Sequence, residues 1–133
     1  MTLPDQAARE LIASRLDLNL LVEAGAGSGK TENLAQRMAA GIADGVYEIE
    51  GMAAVTFTRK AAAELRGRFQ QTLEVRLVDE AVPEKAARIR AALSSLDRLF
   101  AGTIHAFCAR LLRERPVEAG IAPGFTELDE IAD

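Results

Sequence analysis

The chain has 133 residues, 49% of them hydrophobic and 27% charged, with no Trp and a single cysteine, Cys108. One domain, or part of one, fits that length, and the apolar share is too high for intrinsic disorder. A lone cysteine excludes a disulfide framework, and no stretch is long and apolar enough to span a membrane. Aromatic residues make up only 5% and alanine dominates the apolar set, which suits an α/β or helical protein better than an all-β one. A reducing, cytoplasmic setting is the corresponding expectation.

The net charge of −4 looks wrong for a nucleic-acid partner until its distribution is followed. Residues 116–133 carry −5, so the first 115 carry +1. Within them Arg59, Lys60, Arg66 and Arg68 crowd together, and Arg110, Arg113 and Arg115 form a second basic cluster. Such clusters are either a basic face or ordinary solvated helix surface.

In chain order, residues 3–15 predict a helix with Thr2 as its cap and Pro4 in its first turn. Leu18, Leu20, Leu21 and Val22 form an apolar run of the kind found in a strand buried on both faces. A helix is predicted from Lys30 through Leu34, Met38 and Ile42, with Gly41 and Gly45 marking its end. Met52 to Phe57 predicts a second strand. Thr58 is placed to cap a helix in which Ala61, Leu65, Phe69 and Leu73 recur every fourth residue. Pro83 opens another helix, presenting Ile89, Leu93 and Leu96. Leu99 to Ala101 predicts a brief third strand, and Thr103 caps a helix that runs through Phe107 and Leu111 until Pro116. Gly124 to Asp133 reads as a further strand. Strand, glycine loop, helix, strand, helix is the opening of a parallel sheet with crossover helices, and such a sheet is incomplete here.

Between the first strand and its helix lies Ala24-Gly25-Ala26-Gly27-Ser28-Gly29-Lys30-Thr31. The glycines allow the backbone to curl so that successive N–H groups face an anion, and the helix adds its positive end. Lys30 supplies a mobile cation for β- and γ-phosphates, and the Thr31 hydroxyl is a Mg²⁺ ligand. Ala24 stands where the usual phosphate loop has its first glycine. Glu23, just before the loop, reads as a solvated strand end.

Three further segments narrow the field. The loop from Glu23 to Thr31 resembles the first motif of UvrD/Rep-like superfamily 1 DNA helicases, in which alanine at the first glycine position is usual. Ala54-Val55-Thr56-Phe57-Thr58-Arg59-Lys60-Ala61-Ala62-Ala63-Glu64-Leu65-Arg66 resembles that family's next motif, which lies along single-stranded DNA. Gly102-Thr103-Ile104-His105-Ala106-Phe107-Cys108-Ala109-Arg110-Leu111-Leu112-Arg113 resembles the following Thr-x-His segment, also on the DNA face. Gln6 stands where the family places a glutamine that reads adenine. The four elements occur in the right order and cover nearly the whole chain. The spacer of about forty residues between the two DNA-facing segments, with the wording from Arg110 to Ala119, resembles the RecB/AddA helicase–nuclease branch.

The resemblance implies that residues 1–133 are the amino-terminal part of a P-loop, RecA-like motor domain, a parallel sheet flanked by helices with a helical insertion at about 70–98. It implies MgATP held by Gln6, Ala24, Gly25, Ala26, Gly27, Ser28, Gly29, Lys30 and Thr31, with Lys30 catalytic and Thr31 on the Mg²⁺. It implies contact of Phe57, Thr58, Arg59, Thr103 and His105 with DNA, single-stranded and duplex substrates, and partner subunits of a helicase–nuclease acting in recombination and repair. From the residues alone, Phe57 either stacks a nucleobase or closes the core, and Thr58 either meets a phosphate or only caps its helix. Arg59 and Lys60 are phosphate neutralisers or solvated surface. His105 is a DNA contact or a packed surface histidine, and Cys108 is expected to be a small buried hydrophobe. Asp129-Glu130 follows Glu127, which a buried strand would not carry, so it is not read as the acidic pair that completes ATP hydrolysis. The segment is therefore expected to cradle nucleotide without hydrolysing it. The alternative is a non-motor nucleotide-binding regulatory module.

Overall fold

Leucine, alanine and phenylalanine at helical spacing build most of the molecule, and two short strands tie it together. The computed structural model describes residues 6–21 and 29–120. Helix α1 covers Gln6–Ser14 and α2 covers Lys30–Ala43. Strand β1 covers Ala53–Thr56 and leads into α3, Arg59–Asp79. Helix α4, Pro83–Ser94, follows, and then strand β2, Phe100–Thr103, feeds α5, Ile104–Glu114, and the single turn α6, Pro116–Ala119. β1 and β2 pair in parallel, with Ala53 opposite Phe100 and Thr56 opposite Thr103. Parallel neighbours need a crossover connection, which α3 and α4 supply.

The core lies where α2, α3 and α4 meet the strands. Met38, Ile42, Ile49, Leu65, Phe69, Leu73, Ile89 and Leu99 form one buried cluster. Phe69, Leu73 and Ile89 are its largest fully buried side chains, each stabilising the fold by about 1.5–3 kcal/mol through burial alone. The stretch 70–98 that the resemblance suggested as an insertion thus contributes Leu73 and Ile89 to the core itself.

Several sequence expectations hold at the level of local structure. α2 begins at Lys30. Thr58 Oγ1 accepts the Ala61 N–H at 3.0 Å, and Thr103 Oγ1 accepts the Ala106 N–H at 3.2 Å, so both threonines cap their helices. Pro83 occupies the first turn of α4, where its missing N–H costs nothing.

Others are corrected. Leu18 to Leu21 is not a strand among the described residues, and Leu21 is 89% exposed. An apolar run becomes a strand only with a ladder partner, and neither β1 nor β2 pairs with it. Val22 and the predicted strand from Gly124 onward lie outside the described residues. Gly41 does not end α2 but sits buried inside it, because the Tyr47 ring packs where a side chain would be: a Cβ there would lie 2.0 Å from Tyr47 Cδ2. The helix ends instead at Ala43, followed by Gly45 with φ +74°. α5, by contrast, stops where Pro116 predicts: it ends at Glu114, Arg115 before the proline leaves the helical region at φ −133°, ψ +57°, and Pro116 opens α6. β1 stops at Thr56, which leaves Phe57 in the loop.

Candidate functional site

At the amino terminus of α2, Gly29 adopts φ +86°, ψ +24°, the left-handed turn that glycine enters without penalty. Gly29 has no side chain with which to cap the helix that follows, so among the described residues no capping group engages its first-turn amides and positive end. Lys30 is exposed and Thr31 half-buried at this end. Ala24, Gly25, Ala26, Gly27 and Ser28 lie outside the described residues. A cationic ammonium, a hydroxyl and a helix amino terminus form a donor set suited to phosphate oxygens and to a hard cation carried by them. No group of three acidic, histidine or cysteine side chains that could hold a metal alone occurs among the described residues.

The same helix end is tied to its neighbours. Glu32 accepts from Arg68 of α3 at 3.0 Å and from Gln36 at 3.0 Å. The Gln36 hydrogen bond, then Arg68, hold the Glu32 carboxyl below the usual carboxylate range. Thr31, Glu64, Arg68, Gln71 and Glu74 line one groove of about 580 Å³ between α2 and α3. On the other side stands α1. A Cβ at Gly29 would lie 3.3 Å from Arg9 Nη1, and Gln6, one turn earlier on α1, bonds Glu10 at 3.3 Å.

A second constellation forms at the carboxyl ends of the two strands. In an open parallel sheet, this edge is where ligands meet helix amino termini. The register puts Thr56 beside Thr103, so the turns into α3 and α5 open side by side. Thr56 Oγ1 donates to Thr58 O at 2.9 Å and lies 3.3 Å from Gly102 O, linking the two turns. Arg59, Ala62, Arg66, Gly102, Thr103 and Ala106 line a shared cavity of about 290 Å³. Phe57 is 90% exposed at the first turn, which removes the core reading of this side chain. His105 is exposed in the first turn of α5. Two segments separated by over forty residues thus present an aromatic ring, two threonines, Arg59 and His105 from one edge.

Several of the basic side chains at and near that edge are already engaged within the fold. Arg66 donates to Leu96 O at 3.0 Å and Leu99 O at 2.7 Å, holding the entry of β2 against α3. Arg68 pairs with Glu32. Arg110 bonds Glu114 at 3.0 Å and lies over the Phe100 ring, 5.4 Å from its centroid. Phe100 in turn packs against Phe107. Much of both basic clusters is therefore structural. Cys108, expected to be buried, is exposed, because α5 turns Ala109 inward and leaves Ile104, His105, Cys108 and Leu111 on its outer side. Arg37 was not singled out by its sequence context, yet it makes three backbone contacts that position α1. Only its place eight residues after Gly29, on the helix that leaves the loop, could have drawn attention to it.

The UvrD/REP helicase N-terminal domain model matches residues 5–132. An ATP-dependent helicase/nuclease subunit from Desulforamulus reducens is 38% identical over 117 residues, 86% of this chain and 9% of the relative. The protein of the same description from Moorella thermoacetica is 38% identical over 128 residues, 95% of this chain and 9% of the relative. The exonuclease/helicase subunit RexA of Lactococcus lactis is 37% identical over 107 residues, 80% of this chain and 9% of the relative. The chain thus spans about a tenth of the length of these relatives. With a family model covering almost all of it, the chain belongs to the UvrD/REP helicase N-terminal domain family.

Proposed function

We propose that this chain is the nucleotide-binding and DNA-contacting opening of an ATP-driven DNA helicase motor of RecA-like fold, in a cytoplasmic helicase–nuclease that serves recombination and repair. The observation that carries the proposal is the parallel register that sets the turns after β1 and β2 side by side, with Phe57, Thr58, Arg59, Thr103 and His105 on one edge. The nucleotide end is supported by the left-handed turn at Gly29, followed directly by Lys30 and Thr31 at the amino terminus of α2. Residues 1–133 then form the amino-terminal part of the motor domain, with 70–98 as its helical insertion.

In this reading, Lys30 neutralises β- and γ-phosphate charge and Thr31 offers its hydroxyl to the nucleotide's Mg²⁺. Ala24, Gly25, Ala26, Gly27, Ser28 and Gly29 are assigned to the phosphates by their sequence, and Gln6 reads the adenine edge. ATP supplies the phosphoryl group whose transfer to water drives movement. At the sheet edge, Phe57 offers its face to a nucleobase, while Arg59 neutralises backbone phosphate. Thr58, Thr103 and His105 add polar contacts to the strand, and the duplex ahead and partner subunits complete the substrate and the assembly.

Isothermal titration of MgADP into the chain and its Lys30→Ala variant tests the nucleotide end. The affinity is expected to fall about tenfold or more, the size of one charge-assisted contact to phosphate. Equal affinities in two folded proteins would remove Lys30 from the site.

A further inference from the structure

Arg37 sits two turns into α2 and is half-buried. Its Nη1 donates to Ile12 O at 2.7 Å and to Arg15 O at 3.2 Å, and its Nη2 donates to Leu18 O at 2.9 Å. Ile12 O belongs to the last turn of α1, where carbonyls lack helical partners. The N–H that would have served it, on Leu16, turns to Ser14 O instead. A guanidinium at this end also meets the negative pole of the helix. One planar fork therefore gathers three carbonyls from the end of α1 and the segment after it.

The contacts between α1 and α2 advance together along both helices. Arg9 lies against Gly29, and the carbonyls of Ile12 and Arg15 lie against Arg37. The two helices therefore run in the same direction, and the end of α1 that bears Gln6 is the end beside the phosphate-binding turn. Gln6 lies three residues before Arg9, on the same helix face. A polar attachment that sets this distance lies at the opposite end of α1, in Arg37.

We propose that Arg37 is a positioning residue for base recognition: it docks α1 on α2 so that Gln6 meets the adenine of a nucleotide whose phosphates sit at Gly29 to Thr31. The inference rests on the assignment of adenine to Gln6 made above. Arg37 touches no nucleotide in this scheme, and its loss should spare phosphate binding while weakening the choice of base. Lysine keeps the charge but has no fork to span three carbonyls, so it replaces arginine only in part.

The experiment is a calorimetric titration of the full chain with ADP, GDP and inorganic tripolyphosphate. The variants are Gln6→Ala, Arg37→Met and Arg37→Lys, each checked by thermal melting. In Arg37→Met, the preference for ADP over GDP is expected to drop about fivefold, the size of one hydrogen bond between a neutral amide and a base, with tripolyphosphate affinity kept. Arg37→Lys is expected to fall between it and the parent, and it decides the matter should Arg37→Met not fold. A parallel loss of ADP and tripolyphosphate would make Arg37 a general scaffold residue and overturn the proposal, as would an unchanged base preference. Failure of the adenine assignment shows separately, as an unchanged ADP-to-GDP ratio in Gln6→Ala, and that result sinks the inference together with its premise.

Discussion

At the β1–α3 turn, a threonine caps a 21-residue helix whose inner face, Leu65, Phe69 and Leu73, is sealed in the core. At the β2–α5 turn, another threonine caps an 11-residue helix in which only Ala109 is buried and Ile104 and Leu111 stay 45% and 46% exposed. The two turns are alike in backbone logic and sit side by side, yet one is mounted on the body of the domain and the other on its surface. Local rules made the turns; depth of anchoring separates them. The first should hold its geometry with or without neighbours, whereas the second owes its place to the strand register and to Phe107 against Phe100.

That contrast can be broken most directly through stability. Phe69→Ala is expected to destabilise the chain by about 3–5 kcal/mol, because it opens a cavity under α3. Ile104→Ala, on the outer side of α5, should cost less than about 1 kcal/mol. Urea unfolding followed by circular dichroism measures both, and similar losses would mean that α5 is anchored as deeply as α3.

A smaller effect separates the two turns in DNA binding. Phe57→Ala is expected to weaken binding of an oligothymidine by about 1–3 kcal/mol, the range for loss of a base stack. His105→Ala should lose about 1 kcal/mol, the size of one hydrogen bond. Fluorescence anisotropy at two salt concentrations reads both and isolates the phosphate part, which weakens as salt rises. A larger effect at His105 would move the main contact to the second turn.

The smallest expected difference lies in the caps. Thr58→Ala and Thr103→Ala each remove one side-chain acceptor from a helix amino terminus and should each cost about 1 kcal/mol. Because α5 is the shallower element, amide hydrogen exchange should speed up locally in Thr103→Ala, whereas in Thr58→Ala protection along α3 should change only near its first turn. Identical exchange patterns would erase the distinction between the mounts.

Much of this architecture was legible because it depends on neighbours in sequence. Thr58 and Thr103 lie three residues from the amides they cap, and Lys30 follows directly on the glycines that start α2. The apolar spacing of Leu65, Phe69 and Leu73 could be counted. What stayed hidden depends on partners far along the chain. Arg37 reaches back 25 residues to Ile12, Arg66 reaches on 33 to Leu99, and Arg88 reaches back 45 to Ala43. In sequence, an arginine that serves a distant carbonyl looks the same as one that faces water. Leu18 to Leu21 failed for a related reason, since strand character belongs to a pair and not to a run. Cys108 failed because its surroundings on α5 are apolar on the outer side as well as the inner one.

Gly41 and Gly67 both stand inside helices, where glycine costs about 1 kcal/mol relative to alanine. An engineer hardening this protein against heat would replace both by habit. At Gly67 the surroundings are open, and the exchange is free to stiffen α3. At Gly41 the Tyr47 ring already fills the position, so even one methyl group would force the ring and the segment after α2 to move. Two identical letters thus call for opposite decisions in design, and a substitution table based on helix preference alone would get one of them wrong.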